Sequence, residues 1–145
     1  MGRHPGINSI ATNAILFLKI YQMQIMINKI YHLSTCDTCR KILKEIDATA
    51  HGFELQDIKA QPLTAQQLDA LKEKAGSYES LFSRRSQQYK ALNLASQTLT
   101  ESDYRKYILE HYTFLKRPVI EYNGQLFIGN EKKTVDALKS AMGIV

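Results

Sequence analysis

The pattern of apolar and polar positions in the first part of the chain predicts a strand, a helix and a second strand, in that order. A buried strand is predicted over residues 28–33, and residues 53–58 alternate as a half-buried strand does. Between them, apolar positions at helical spacing predict an amphipathic helix over about 37–50: Cys39, Ile42, Leu43, Ile46 and Ala50. A strand, a helix and a strand in this order form a right-handed βαβ unit with a parallel pair of strands.

The middle of the chain predicts helices joined by loops. Thr64 with Gln67 matches a capping box, the start of a helix that Gly76 ends. Residues 77–99 read as a loop or as short helices, and Thr100 is suited to cap a further helix. We therefore expect a helical insert between the two halves of the sheet.

The last part of the chain predicts a β-hairpin followed by a helix. Residues 118–122 and 125–129 are strand-like and flank Asn123-Gly124, the strongest short signal for a hairpin turn. A helix over about 131–142 ends at Gly143. The order β-α-β, helical insert, β-β-α predicts an α/β fold of the thioredoxin-like arrangement.

The first 25 residues stand apart from this order. Their apolar run at 14–18 is too short to span a bilayer, and no small-residue cleavage site follows it. Residues 1–25 are either a doubtful extension of the gene model ahead of a start at Met26, or a functional amphipathic arm. We expect one domain over residues 26–145.

Composition narrows the class of protein. The chain has 145 residues, 44% of them hydrophobic, which is enough for one domain with a real core. Its net charge of +5 is modest and forms no long basic block, so small anions are expected as partners rather than nucleic acid. Its two cysteines form no disulfide framework and no convincing export signal is present, which predicts a reducing cytoplasm and no membrane attachment.

Both cysteines lie where the first strand meets the first helix. A thiol at Cys36 would face the helix N-terminus, whose N–H groups and dipole stabilise a thiolate, so Cys36 is the expected nucleophile. Cys39 lies one turn later and would close a disulfide with Cys36, release an adduct, or be a buried and inert thiol. Two cysteines and one nearby histidine are too few ligands for zinc, so no metal is expected.

Three segments of the chain together resemble the ArsC/Spx family. They are Ile30-Tyr31-His32 with Cys36-x-x-Cys39-Arg40, then Ser83-Arg84-Arg85-Ser86, and then Lys116-Arg117-Pro118-Val119-Ile120 ahead of a hairpin ending in Gly129. The resemblance covers about residues 27–143. The family joins glutaredoxin-linked arsenate reductases, Spx-type transcription regulators and less defined reductase-like proteins.

The resemblance implies roles for the thiols and for a histidine. Cys36 would attack the substrate, and His32 matches a histidine that lies near the reactive thiol of the arsenate reductases. His32 is equally well explained as a strand histidine with a satisfied hydrogen bond. Cys39 stands where the enterobacterial enzymes have a serine, so it would resolve the adduct internally or act as an Spx-type redox switch.

The resemblance also implies a set of cationic donors for an oxyanion. Arg117 matches the arginine before the late proline, and Pro118 matches the cis-proline of thioredoxin-like proteins. Arg85, or with less support Arg84, would supply a second donor, and Arg40 would add positive potential.

The resemblance leaves three possibilities open. The first is an arsenate reductase-like enzyme that acts on a small oxyanion or thiol substrate, binds no cofactor, and is regenerated by glutathione/glutaredoxin or thioredoxin. The second is an Spx-like regulator that docks on the RNA polymerase α subunit, and a third possibility is a protein that has kept the fold and lost turnover. Residues 127–130 lack the third arginine of the classical reductases, and Gly129 also suits an Spx-type protein. Arsenate as the substrate is therefore an open question.

Overall fold

The computed structural model describes residues 6–25 and 27–144. Its α-helices in this range are α1 Gly6–Ile25, α2 Asp37–Glu45, α3 Ala65–Ala75, α4 Gln87–Ala91, α5 Glu101–Glu110 and α6 Lys132–Met142. Its strands there are β1 Lys29–His32, β2 Glu54–Asp57, β3 Val119–Tyr122 and β4 Gln125–Ile128.

The strands form one sheet in the order β2-β1-β3-β4. β1 pairs with β2 in parallel and with β3 in antiparallel orientation, and β3 pairs with β4 as a hairpin. Asn123 and Gly124 have φ angles of 48° and 80°, the positive pair that a type I′ hairpin turn requires. The predicted order of strands and helices is confirmed, and the fold is a thioredoxin-like α/β fold.

Apolar side chains pack against both faces of this sheet. On one face, Ile30 and Ile120 are buried beneath α2 and α6. On the other face, Tyr31 and Val119 contact a larger cluster formed by the helical insert, which includes α3 and α5. Because β1 is central and covered on both sides, the loop that follows it begins from a rigid part of the molecule.

The helix α2 ends five residues before the predicted limit of about residue 50. Asp47 adopts a left-handed conformation with φ of 49°, and its N–H donates to the carbonyl oxygen of Lys44. The N–H of Ala48 then donates to the carbonyl oxygen of Leu43 at 3.0 Å. These two bonds form a Schellman motif, which closes a helix C-terminus. Helical spacing of apolar residues continues past Asp47, and for that reason the pattern overestimates the length of α2.

The predicted alternation along β2 is wrong at two neighbouring positions. Leu55 is 41% exposed, whereas Gln56 is only 3% exposed. β2 is an edge strand, so the side chain of Leu55 has a neighbouring strand on one side only. The Gln56 amide exchanges hydrogen bonds of 3.1 and 2.9 Å with the Gln67 amide and donates to the carbonyl oxygen of Gln61. Gln56 is therefore a satisfied polar link between β2 and α3.

The helices α3 and α5 of the insert begin with the predicted caps. Thr64 and Thr100 each form a complete capping box, at the starts of α3 and α5, and Gly76 ends α3 with φ of 91°. Within the core, the rings of Phe82 and Phe114 stack with their centroids 5.2 Å apart. Such a pair contributes about 0.5–1.5 kcal/mol beyond the burial of its surface. The insert is thereby fixed against the segment that leads into β3.

The helix α1 carries apolar side chains on its surface. Every side chain from residue 11 to residue 20 is exposed, and Phe17 is 69% exposed. None of the described helices is both long enough and apolar enough to cross a membrane. The predicted domain boundary at Met26 lies outside the described residues, and both interpretations of residues 1–25 stay predictions.

Candidate active site

Cys36 occupies the N-cap position of α2. Its backbone is extended, with φ of −91° and ψ of 114°, and its carbonyl oxygen accepts from the N–H of Arg40 at 3.0 Å. Its own N–H donates to the carbonyl oxygen of Leu33. The sulfur makes no capping bond of ideal geometry, but the N–H groups of Thr38 and Cys39 lie close enough to stabilise a negative charge on it.

The environment of Cys36 favours the thiolate. Partial burial opposes ionisation, but the N–H and thiol groups of Cys39, the N–H of Thr38 and the positive charge of Arg117 outweigh it and lower the pKa of Cys36 below its usual value. Because the thiolate is the nucleophilic form of cysteine, this lowered pKa suits Cys36 to act as a nucleophile.

Cys39 lies in a contrasting environment. Burial, together with the neighbouring charge and hydrogen bond of Cys36, raises the pKa of Cys39 to about 11. Its side chain is fully buried, and both cysteines are free thiols. Cys39 therefore stays protonated beside Cys36 and donates its S–H to the thiolate.

Cys36 opens into a cleft of about 280 Å³ with a strongly cationic wall. The preferred predicted arginines, Arg85 and Arg117, line this cleft together with Cys36, and so does Arg84, the alternative to Arg85. The remaining lining residues are Phe82, Ser83, Arg84, Leu115, Lys116, Ile128, Gly129, Asn130 and Glu131. The peptide bond between Arg117 and Pro118 is cis. A cleft with several cations and one thiolate can hold a small anion beside the sulfur.

A short antiparallel backbone contact brings the two arginines together. Phe82 and Leu115 form an isolated β-bridge. Beside it, the N–H of Ser83 donates to the carbonyl oxygen of Phe114 at 2.7 Å, and the N–H of Lys116 donates to the carbonyl oxygen of Leu81 at 2.8 Å. The residues that follow these two segments, 84–85 and 116–117, consequently line the same cleft.

Arg84 and Arg85 have different surroundings. The guanidinium of Arg84 pairs with Glu79 at 3.0 Å, donates to the Tyr104 hydroxyl at 3.0 Å, and lies over the Tyr104 ring. For Arg85, the described residues offer no hydrogen-bond acceptor or acid to the guanidinium, and only its backbone N–H is engaged, by Ser83. Arg85 therefore has its donors available for a ligand, whereas those of Arg84 hold the insert together.

Arg40 and His32 lie outside the lining of this cleft. Arg40 is exposed and pairs with Asp37 in the first turn of α2. His32 is paired in register with Asp57; burial lowers the pKa of His32, and the charge of Asp57 partly offsets this effect. The Ser34 hydroxyl donates to the same Asp57 carboxylate at 2.6 Å. Roles of His32 in thiolate formation and of Arg40 in anion binding stay predictions.

The end of the hairpin also contributes to the cleft. Gly129 and Asn130 line it at the point where the classical reductases are expected to have their third arginine. Lys116 and Glu131 line it too, and neither was predicted as a site residue. The basic pair Lys116-Arg117 was a sequence signal that could have pointed to Lys116. Glu131 lies at the start of a predicted helix, and nothing in the sequence there pointed to it. Nowhere in the described chain do three His, Cys, Asp or Glu side chains cluster closely enough to hold a metal ion.

The fold and the site define a class of protein, the thioredoxin-like thiol proteins with a CxxC motif at the first strand–helix junction. The chain belongs to the ArsC family, whose sequence profile matches residues 31–138.

Two solved structures illustrate the likeness. An arsenate reductase (ArsC) related protein from Brucella melitensis is 28% identical, with a TM-score of 0.56 over 78% of this chain and 94% of that one. An arsenate reductase from Vibrio cholerae is 20% identical, with a TM-score of 0.64 over 83% of this chain and 98% of that one. No curated protein sequence matches the chain significantly.

Proposed function

We propose that this protein is a thiol-dependent reductase of a small oxyanion, with Cys36 as its nucleophile. Membership of the ArsC family, with an arsenate reductase among the structural neighbours, supports a thiol-dependent reductase at the level of the family. The observation that carries the finer proposal is the shared cleft: the thiol with a lowered pKa and the available guanidinium groups of Arg85 and Arg117 line one space.

Arsenate is the first substrate to test, since guanidinium groups match a tetrahedral oxyanion well. In the first step the Cys36 sulfur bonds to arsenic, and one arsenic-bound oxygen leaves as water after taking up protons. In the second step another thiol attacks the Cys36 sulfur. The sulfur–arsenic bond breaks, its electron pair stays on arsenic, and arsenite and a disulfide are formed. Arsenic is reduced from As(V) to As(III) while two thiols are oxidised.

The second thiol is Cys39 or an external thiol. Attack by Cys39 requires its deprotonation, which burial and the neighbouring Cys36 thiolate both oppose. Once Cys36 carries the arsenate adduct, the charge on its sulfur is gone, but the adduct oxygens are anionic and burial, the larger cause, remains. The resulting disulfide would be reduced by glutathione/glutaredoxin or by thioredoxin, which are thiol reductants rather than bound cofactors.

Arsenate reduction coupled to NADPH oxidation tests the proposal. The full chain is assayed once with glutathione, glutaredoxin and glutathione reductase, and once with thioredoxin and its reductase. Cys36→Ser should abolish turnover in both systems. Cys39→Ser should keep turnover with glutathione when an external thiol resolves the adduct, and should lose turnover in both systems when Cys39 resolves it.

The proposal is wrong when the native chain gives neither turnover nor a Cys36 adduct in intact-protein mass spectrometry. The RNA polymerase α subunit as a partner and the cytoplasm as the location stay predictions.

A further inference from the structure

A chain of side-chain hydrogen bonds crosses from the insert to the segment before β3. The hydroxyl of Thr113 lies 2.6 Å from that of Ser86 and 2.7 Å from Nδ1 of His111. Ser86 is only 5% exposed, although it lies within an otherwise polar stretch. The functional site described above does not use any of these three side chains.

The donors and acceptors of this chain can be ordered. The N–H of Thr113 donates to Nδ1 of His111 at 3.2 Å, so this nitrogen has a lone pair and the Thr113 hydroxyl donates to it as well. The Ser86 hydroxyl then donates to Thr113 Oγ1, while its own oxygen accepts from the N–H of Gln88. Each hydroxyl acts as both donor and acceptor, which gives the chain one consistent direction.

Thr113 also contacts the anion cleft through its backbone. Its carbonyl oxygen accepts from Nη1 of Arg117 at 3.3 Å. Through its hydroxyl it holds Ser86, which directly follows Arg85 in the chain. Thr113 therefore contacts the segment that carries Arg85 through its side chain. Through its carbonyl group it orients the guanidinium of Arg117.

We propose that Thr113 is a positioning residue that sets the spacing of Arg85 and Arg117 around Cys36. The hydroxyl bonds to Ser86 and His111 fix the short turn Tyr112–Phe114, and this turn presents the carbonyl group that orients Arg117. The inference rests on the proposed function in so far as the ligand of the arginines is an oxyanion. Its effect on Cys36 through Arg117 requires no ligand, because Arg117 acts on the thiolate directly.

Thr113→Val tests this role because it keeps the shape of the side chain and removes the hydroxyl. The first measurement is the pH profile of Cys36 alkylation by iodoacetamide, read by mass spectrometry, and Thr113→Val should move it to higher pH. The second is protection of Cys36 by sulfate or arsenate, which should need about three- to tenfold more anion, the usual effect of one hydrogen bond. Thr113→Ser retains the hydroxyl and should restore both readouts to within about twofold.

Thr49→Val is the matched control, since Thr49 is exposed in the turn after α2 and should leave both readouts unchanged. If Thr113→Val does not fold, Ser86→Ala removes the same link from the other side and should give the same two effects. An alkylation profile that Thr113→Val leaves unshifted overturns the positioning role, as does a Thr113→Ser variant impaired as much as Thr113→Val. A shifted profile in a chain that no oxyanion protects supports the positioning role and overturns the oxyanion substrate instead.

Discussion

Arg117 should provide more of the oxyanion affinity than any other side chain of the cleft. It is the arginine that acts on the Cys36 thiolate, and among residues 6–25 and 27–144 its guanidinium is engaged only at Nη1, by the Thr113 carbonyl group. At least two further N–H donors remain for a ligand. A hydrogen bond to a charged group contributes about 1.5–3 kcal/mol, and the partial exposure of Arg117 favours the lower end of that range.

Arg117→Gln should therefore weaken sulfate or arsenate binding by about 1.5–2 kcal/mol, which is about 12- to 30-fold in Kd. Arg117→Lys keeps the charge but loses the planar fork, and about 5- to 10-fold is expected. Isothermal titration calorimetry with sulfate measures both constants. Arg117→Gln should also slow Cys36 alkylation at neutral pH, because a positive charge that lowers the pKa of Cys36 is removed.

Arg40→Gln is the matched control, as Arg40 is an exposed arginine near Cys36 that does not line the cleft. Its Kd for sulfate should stay within about twofold of the native value. Equal losses in Arg117→Gln and Arg40→Gln would show that general positive potential, and not the placed guanidinium, binds the anion. The reasoning would then be refuted.

Substitutions at four other positions have defined outcomes. Asn130→Arg adds a cation at the hairpin end and should lower the Kd for sulfate about three- to tenfold in the same titration. Gly129→Arg should in addition lower the thermal unfolding midpoint, because φ of +87° at this position strains any L side chain. Equal midpoints for the two variants would contradict this reasoning. Cys39→Ala removes the S–H donor, so the thiolate of Cys36 should form only at higher pH and the alkylation profile should move to higher pH. Cys39→Ser keeps a donor and should move the profile less. If neither profile moves, the hydrogen bond from Cys39 to the Cys36 thiolate is excluded. Gln56→Leu removes the acceptor for Nε2 of the half-buried Gln67 and the donor to the Gln61 carbonyl oxygen, and should lower the free energy of unfolding in urea by about 1–3 kcal/mol. A loss below about 0.5 kcal/mol would argue against that link.

Sequence signals that depend only on neighbouring residues predicted the fold well. The Asn123-Gly124 turn and the caps at Thr64 and Thr100 each depend on a few neighbouring residues, and each is found as predicted. The end of α2 was missed because the left-handed Asp47 interrupts a pattern that continues beyond it. The burial of Gln56 was missed because it depends on an amide in a different element.

The candidate site could be predicted only as far as motifs reach. The resemblance pointed to Cys36, Arg85 and Arg117, and the structure places all three along one cleft. It favoured Arg85 over Arg84 but gave no physical reason, because the difference is made by Glu79 and by a tyrosine of α5 that contact Arg84 alone. Such tertiary partners leave no periodic trace in a sequence.

The cleft keeps its shape only while the two segments joined by the β-bridge between Phe82 and Leu115 stay paired. If the segment that carries Ser83 separated from the one that carries Lys116, the two halves of the cationic wall would move apart. No small anion could then contact both halves. A ligand that contacts both segments stabilises their paired state by mass action, and raises the ratio of paired to separated molecules by a factor of one plus the ligand concentration divided by its Kd. The amide protons of Ser83 and Lys116, which form the bonds beside the bridge, would then exchange with solvent more slowly as ligand is added. The same two bonds that assemble the cleft would thus report its occupancy.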